Sequence, residues 1–185
     1  MAGGGSTGGF RRVGEDEVFR GHVFRVAHAR FTDPEGHPFE RDVVRHPGAV
    51  AVVPVHADGT ATLVRQMRVA VGAAVLEVPA GTCDVAGEAP ESTARRELAE
   101  EAGLTAARLE RLAAVYNSPG YCDQQTIIFL ATGLEPCDTS PTGVEERWMS
   151  VERVPLARVD ELAAGGHVVD ETTMLALLLA RAAVG

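Results

Sequence analysis

Glu91, Glu97, Glu100 and Glu101 crowd one short helical run behind a glycine-punctuated loop, in the stretch GTCDVAGEAPESTARRELAEEAGL from Gly81 to Leu104. Carboxylates three and four positions apart on a helix repel one another, so a bare cluster of this kind weakens the helix that carries it. A shared divalent cation reverses the sign of that interaction. Glu97, Glu100 and Glu101 fall on one stripe beside the apolar one, and three oxygen donors at the edge of a core suit Mg2+ or Mn2+ better than a soft metal. Arg96 stands four residues before Glu100 and also reaches back toward Glu88, tying loop to helix. Magnesium held by acids in an electronegative cleft is equipment for phosphoryl transfer, in which the ion neutralises a diphosphate and acidifies an attacking water. An acidic helical run taken alone is more often a solvated face than a site. The loop ahead of it is what favours chemistry.

The elements that must position these acids are legible around them. Pro90 suits a first helical turn, Glu91 complements the helix dipole and Gly103 suits the position just past the end, which predicts a helix over Glu91–Ala102. Ala94, Leu98 and Ala102 form its buried stripe. Gly81 and Gly87 permit a tight turn that brings backbone carbonyls toward the ion. Upstream, Val18–Phe31 alternates apolar and polar residues and reads as one strand, returning after TDPEGH along Phe39–His46 to make a hairpin. Ala49–Val55 is apolar enough to be buried on both faces, Ala61–Arg68 is its partner across an Asp58-Gly59 turn, and Val75–Pro79 leads into the acidic stretch. Downstream, Leu109–Val115, Thr126–Ala131 and Arg147–Val151 read as strands, and Pro155–Ala164 and Glu171–Ala183 as helices. Strands, a helix, more strands and then helices predict an α+β domain with helices packed on a mixed sheet. The Gly/Ser-rich residues 1–9 read as disordered.

Composition narrows the chemistry further. The 185 residues suit one domain with a small extra subdomain. A net charge of −9, from 26 acids against 17 bases, disfavours a nucleic-acid or anionic-membrane binder. Every base is Arg, which removes lysine nucleophiles, Schiff bases and the lysine of a P-loop. Cys83, Cys122 and Cys137 make no CxxC pair, so they read as reduced, incidental thiols. Residues 1–10 lack the apolar core of a signal peptide, and the longest apolar runs are far short of the ~20 residues that span a bilayer. A cytoplasmic location is expected.

Taken together, Glu88, the seven residues after it, Arg96-Glu97-Leu98, Glu100-Glu101 and Gly103-Leu104 resemble the Nudix hydrolase box, G-x5-E-x7-R-E-U-x-E-E-x-G-U with U aliphatic. One departure is that six residues, not five, separate Gly81 from Glu88; the extra one falls in the loop, where insertion is best tolerated. The resemblance implies an α/β/α sandwich with a mixed sheet over residues 48–185 and a small N-terminal β subdomain over 10–47. It implies Glu97 and Glu101 as main metal ligands, Glu100 sharing an ion, and Ala80 supplying a backbone oxygen. Gly81, Glu88 and Gly103 would be structural, and Arg96 would place the helix against the loop.

Outside the box, Arg45-His-Pro-Gly-Ala-Val-Ala-Val-Val, Leu63-Val-Arg-Gln-Met-Arg68, Leu76-Glu-Val-Pro-Ala-Gly81 and Pro119, sixteen residues after Gly103, resemble the ADP-ribose pyrophosphatase group of that family. The implied reaction is hydrolysis of a nucleotide sugar, ADP-ribose first among them, by water attack on the diphosphate. Arg41 and Arg68 are candidate phosphate ligands because a guanidinium binds such oxygens bidentately, with Glu77 orienting an arginine or the substrate. Met67 and Val75 stand where the group often has aromatics, so no base-stacking residue is assigned. Glu145, three before Trp148, is the candidate general base, with Glu146, Asp138 and Asp123 as alternatives. A homodimer formed through the N-terminal sheet is implied by the group. Alternative readings are a related enzyme for GDP-mannose or a dinucleotide coenzyme, and a non-catalytic module that senses ADP-ribose.

Overall fold

The computed structural model describes residues 8–139 and 143–185, so the expected disorder of residues 1–7, and the middle of the loop between Glu135 and Glu146, lie outside the described residues. Two compact units are present: residues 1–47 with 116–124, and residues 48–115 with 125–185.

In the first unit three antiparallel strands, β1 (Arg11–Arg20), β2 (Arg25–Thr32) and β3 (Pro38–Arg45), lie in that order. The expected single strand over Val18–Phe31 is therefore two strands. The chain reverses between them, with the amide of Gly21 donating to the carbonyl of Phe24 at 2.9 Å. Apolar residues continue through the reversal as Val23 and Phe24, so alternation alone does not mark it. Glu15 fixes the sheet at its centre, accepting from Arg12 on its own strand at 2.8 Å, Arg25 of β2 at 3.0 Å and Arg45 of β3 at 2.6 Å. Those guanidiniums, Arg45 foremost, hold its carboxyl down at about 2. The 116–124 segment joins the same unit through the Val44 amide, which donates to Tyr121 O at 2.7 Å, and through Asp123, which accepts from Arg45 at 3.0 Å and from the His46 amide at 2.9 Å.

The second unit holds two sheets. One orders β10 (Ser150–Pro155), β5 (Thr60–Arg68) and β6 (Ala73–Glu77); the other orders β7 (Ala80–Thr82), β4 (Ala49–Pro54), β9 (Gln125–Pro136) and β8 (Leu104–Tyr116). β4 pairs antiparallel with β7 and parallel with β9, so this sheet is mixed. Its central strand is buried on both faces, and the period of two decides what each face meets. Val50 and Val52 pack with Ala94, Leu98 and Ala102 of α1 (Pro90–Ala102), whereas Ala51 and Val53 pack with Ala176, Leu177 and Ala180 of α3 (Glu171–Val184). Helices thus cover both sides of the strands, the expected α/β/α arrangement.

The helix over Pro90–Ala102 ends at Gly103, whose φ of 63° is the left-handed conformation that glycine adopts without cost. Two other segments differ from expectation. Glu146–Trp148 is a turn of 3-10 helix, and the strand expected at Arg147–Val151 runs instead over Ser150–Pro155, set by pairing of Ser150 with Arg65 and of Pro155 with Thr60. Leu156–Arg158 is 3-10 and only Val159–Ala164 (α2) is α-helical. Among the described residues no helix is long and apolar enough to cross a membrane.

Candidate functional site

Beside α1 the second unit opens a cleft of about 500 Å3, lined by residues from β5, the turn that follows it, β7, α1 and the 143–149 loop. Glu97 and Glu101 are four residues apart on the helix and both nearly buried, at 7% and 6% exposure. They reach the cleft from positions flanking the Ala94–Leu98–Ala102 stripe, so the packing that seats α1 on Val50 and Val52 also drives these two acids inward.

Gly81 makes room for the first of them. A Cβ built on it would lie 2.0 Å from Cδ of Glu97. The expected tight turn does not occur at this position: Gly81 is a residue of β7 paired with Val50, and its glycine is required by close approach. Gly87 does adopt a positive φ, of 81°. Glu101 is held from the same strand, accepting from the Ala80 amide at 2.9 Å. The Ala80 residue expected to offer a carbonyl to a metal therefore also orients one of the acids through its N–H.

Burial raises both carboxyls, Glu97 to about 7 and Glu101 to about 8. Desolvation is the chief cause for each; Arg96 opposes it at Glu97, the Ala80 amide opposes it at Glu101, and each acid also feels the charge of Glu146. Carboxylates raised by burial in this way lack full compensation of their negative charge. Hard oxygen donors with this deficit fit a divalent cation of the Mg2+ or Mn2+ type. Glu97, Glu101 and Glu100 are the side chains that would hold it.

Among the described residues no three acids, histidines or cysteines stand preassembled around one point. Between two of the glutamates lies Arg96, whose Nη1 is 2.7 Å from Oε1 of Glu97 and 3.0 Å from Oε2 of Glu100, while Nη2 is 3.5 Å from Oε2 of Glu88. Glu88 in turn accepts from the hydroxyl of Thr93 at 2.8 Å, so the loop is tied to the first two turns of α1, at Thr93 and at Arg96. The loop before Glu88 bends over 85–87, closed by the Glu88 amide on Val85 O at 3.1 Å.

Opposite the acids stands Arg68. Its Nε donates to Glu77 Oε1 at 2.9 Å and its Nη2 donates to Glu77 Oε2, which also accepts from Gln66 at 3.3 Å. Glu77 is buried and Arg68 remains part-exposed. A guanidinium gripped along its Nε edge keeps its other donors for the cleft. Its charge is held firmly by Glu77, against the cost of burial, and is also felt by Glu101. Gln66 and Thr93 were not picked out as site residues from the sequence. Gln66 has a legible signal, sharing the strand face of Val64 and Arg68; Thr93 has none.

Not every candidate shares this cleft. Arg68, Arg96, Glu97, Glu100, Glu101, Ala80, Gly81 and both Glu145 and Glu146 line it, and Glu77 supports Arg68 from behind. Arg41 and Pro119 belong to the first unit, where they line another cavity of about 500 Å3 with Phe10, Phe31 and Phe39. Phe31 and Phe39 stack there at 5.4 Å, and the Arg41 guanidinium sits 5.1 Å from the Phe39 ring centre. Asp123 is engaged by Arg45 and His46 in that unit, and Asp138 is not among the residues lining either cavity. The charge of Glu146 raises both Glu97 and Glu101, and its Oε2 accepts from the Gly143 amide at 2.8 Å.

Comparison with known proteins places this geometry among relatives. A family profile described as NUDIX domain matches residues 45–169. An ADP-ribose pyrophosphatase of Bacillus subtilis (strain 168) is 34% identical over 167 residues, covering 90% of each chain. An ADP-ribose pyrophosphatase of Mycobacterium tuberculosis is 33% identical over 173 residues, covering 94% of this chain and 84% of that protein. A solved structure described as an ADP compounds hydrolase superposes with a TM-score of 0.81 at 25% identity, covering 95% of this chain and 94% of the other.

Proposed function

The chain belongs to the NUDIX domain family, and from that premise we propose that it hydrolyses ADP-ribose to AMP and ribose 5-phosphate with the help of Mg2+ or Mn2+. The observation that carries the reading is the pairing, across one cleft, of two buried and charge-deficient glutamates, Glu97 and Glu101, with the Glu77-held guanidinium of Arg68. Similarity to two ADP-ribose pyrophosphatases over most of the chain supports the choice of substrate.

In this reading Glu97, Glu101 and Glu100 hold the divalent ion, which when bound offsets the charge of the diphosphate and lowers the pKa of water. Arg68 binds phosphate oxygens through the donors that Glu77 leaves over. Water adds to one phosphorus, the bridging P–O bond breaks toward the other phosphate, and the proton released by the water passes to a carboxylate of the 143–149 loop. Glu146 takes that role in preference to Glu145, because its charge is felt at both Glu97 and Glu101. The exposed apolar residues of the first unit, Phe10, Val18, Phe19, Val23 and Phe24 among them, support a homodimer.

Purified protein incubated with ADP-ribose and Mg2+ is expected to yield AMP and ribose 5-phosphate in equal amounts, with none formed after chelation. Intact ADP-ribose alongside rapid cleavage of GDP-mannose would replace the substrate and keep the reaction.

A further inference from the structure

Arg96 is placed among Glu88, Glu97 and Glu100, and it is shared. A single Nη1 touches both Glu97 and Glu100, at 2.7 and 3.0 Å, and Nη2 faces Glu88 at 3.5 Å. Glu97 has little freedom to move elsewhere, since it fills the space that the missing side chain of Gly81 leaves. Its carboxylate would therefore be contested by two cations, the guanidinium that already touches it and the divalent ion. Glu88 is fixed by Thr93 at 2.8 Å, so the guanidinium has somewhere to stay when it gives up Glu97.

We propose that Arg96 is an internal counter-cation that competes with the divalent ion for Glu97. Without the ion it neutralises the acids and keeps α1 intact; as the ion binds, the guanidinium retreats onto Glu88 and Glu100. It thereby trades ion affinity for stability of the ion-free protein. The inference rests on the metal-dependent reading above, but not on the identity of the substrate.

The two are separated by measuring ion binding without turnover. Mn2+ is titrated into the metal-free full chain, and free Mn2+ is followed by its electron paramagnetic resonance signal, for the native protein, Arg96→Gln and Arg96→Lys. Removing a unit charge in contact with a ligand carboxylate is expected to tighten Mn2+ binding about tenfold in Arg96→Gln. The same variant should melt at lower temperature than the native protein when metal-free and close to it when saturated with Mn2+. Arg96→Lys keeps the charge but loses the planar fork that bridges two carboxylates, so its affinity should fall between the two and report the effect even if Arg96→Gln folds poorly. Equal or weaker Mn2+ binding by both variants, with the native protein binding normally, overturns the competition alone. A native protein that binds no Mn2+ overturns the metal reading and the competition with it.

Discussion

A methyl group at position 81 would occupy the space of the Glu97 carboxylate, so Gly81→Ala is expected to displace that acid by about an ångström. Misplacement on that scale lowers turnover on the order of 100-fold, and steady-state assays at saturating Mg2+ would register it, with circular dichroism showing the fold retained. Glu101→Gln keeps the shape and the bond from Ala80 but removes the charge; no measurable hydrolysis should remain in a protein that melts normally, and near-native magnesium-dependent activity would sink the site assignment. Glu77→Gln acts at one remove. It loosens the grip on Arg68, and if Arg68 binds substrate equally in ground and transition states, KM should rise about tenfold with kcat little changed. How much of this was legible depends on distance along the chain. Glu97, Glu100 and Glu101 could be placed because helical spacing alone puts them together. Arg41 and Arg68 could not be told apart, because both are strand arginines and only the tertiary fold gives one of them to the cleft. Likewise Glu145 and Glu146 are neighbours in sequence, and both line the cleft, so spacing alone does not separate them.

Among the elements, α1 owes its position to Leu98 and Ala94, both wholly buried against Val50, Val52 and Phe129. Leu98→Ala should cost about 2–5 kcal/mol in chemical denaturation and weaken ion binding with it, since the same packing presses Glu97 and Glu101 inward. The helix was readable because Pro90, the Ala–Leu–Ala stripe and Gly103 are all local signals. The strands were readable only in part. Apolar residues continue through the reversal at Gly21–Phe24 and hide it, and the true limits of β10 come from its pairing with β5, which no local pattern records. The first sheet offers a test by acid. Glu15 is held at about 2 by Arg45, Arg25 and Arg12, so its folded pKa lies below the unfolded value. Its contribution to stability is complete above the ordinary carboxylate range and is lost as pH falls from there toward 2. The denaturation midpoint of Glu15→Gln should therefore trail the native protein at pH 6, with the gap closing by about pH 2; a gap independent of pH would remove the ion pairs as its cause.

For the whole molecule, sedimentation should find a dimer, and Phe19→Asp with Val18→Asp, both on exposed positions of β1, should shift it to monomer; native protein that sediments as a monomer throughout would refute the dimer. The division of labour between units was half visible in advance: the break at Pro47-Gly48 reads as a boundary, but the return of residues 116–124 to the first unit does not, since it depends on pairing of Val44 with the Tyr121–Asp123 segment. The central strand β4 carries a consequence in time. In the other sheet of the unit, β5 and β6 are antiparallel, join through a short turn and can pair early. Residues 49–54 must instead wait for 126–131 to arrive from the far side of the helix and β8, and closing so long a loop is slow. Until that parallel pair forms, α1 has only part of the surface it rests on, Phe129 and Ala131 being supplied by the late strand. The acidic cleft is thus expected to assemble late in folding, and a nascent chain released before β9 has emerged would carry the glutamates of α1 without the floor that aims them.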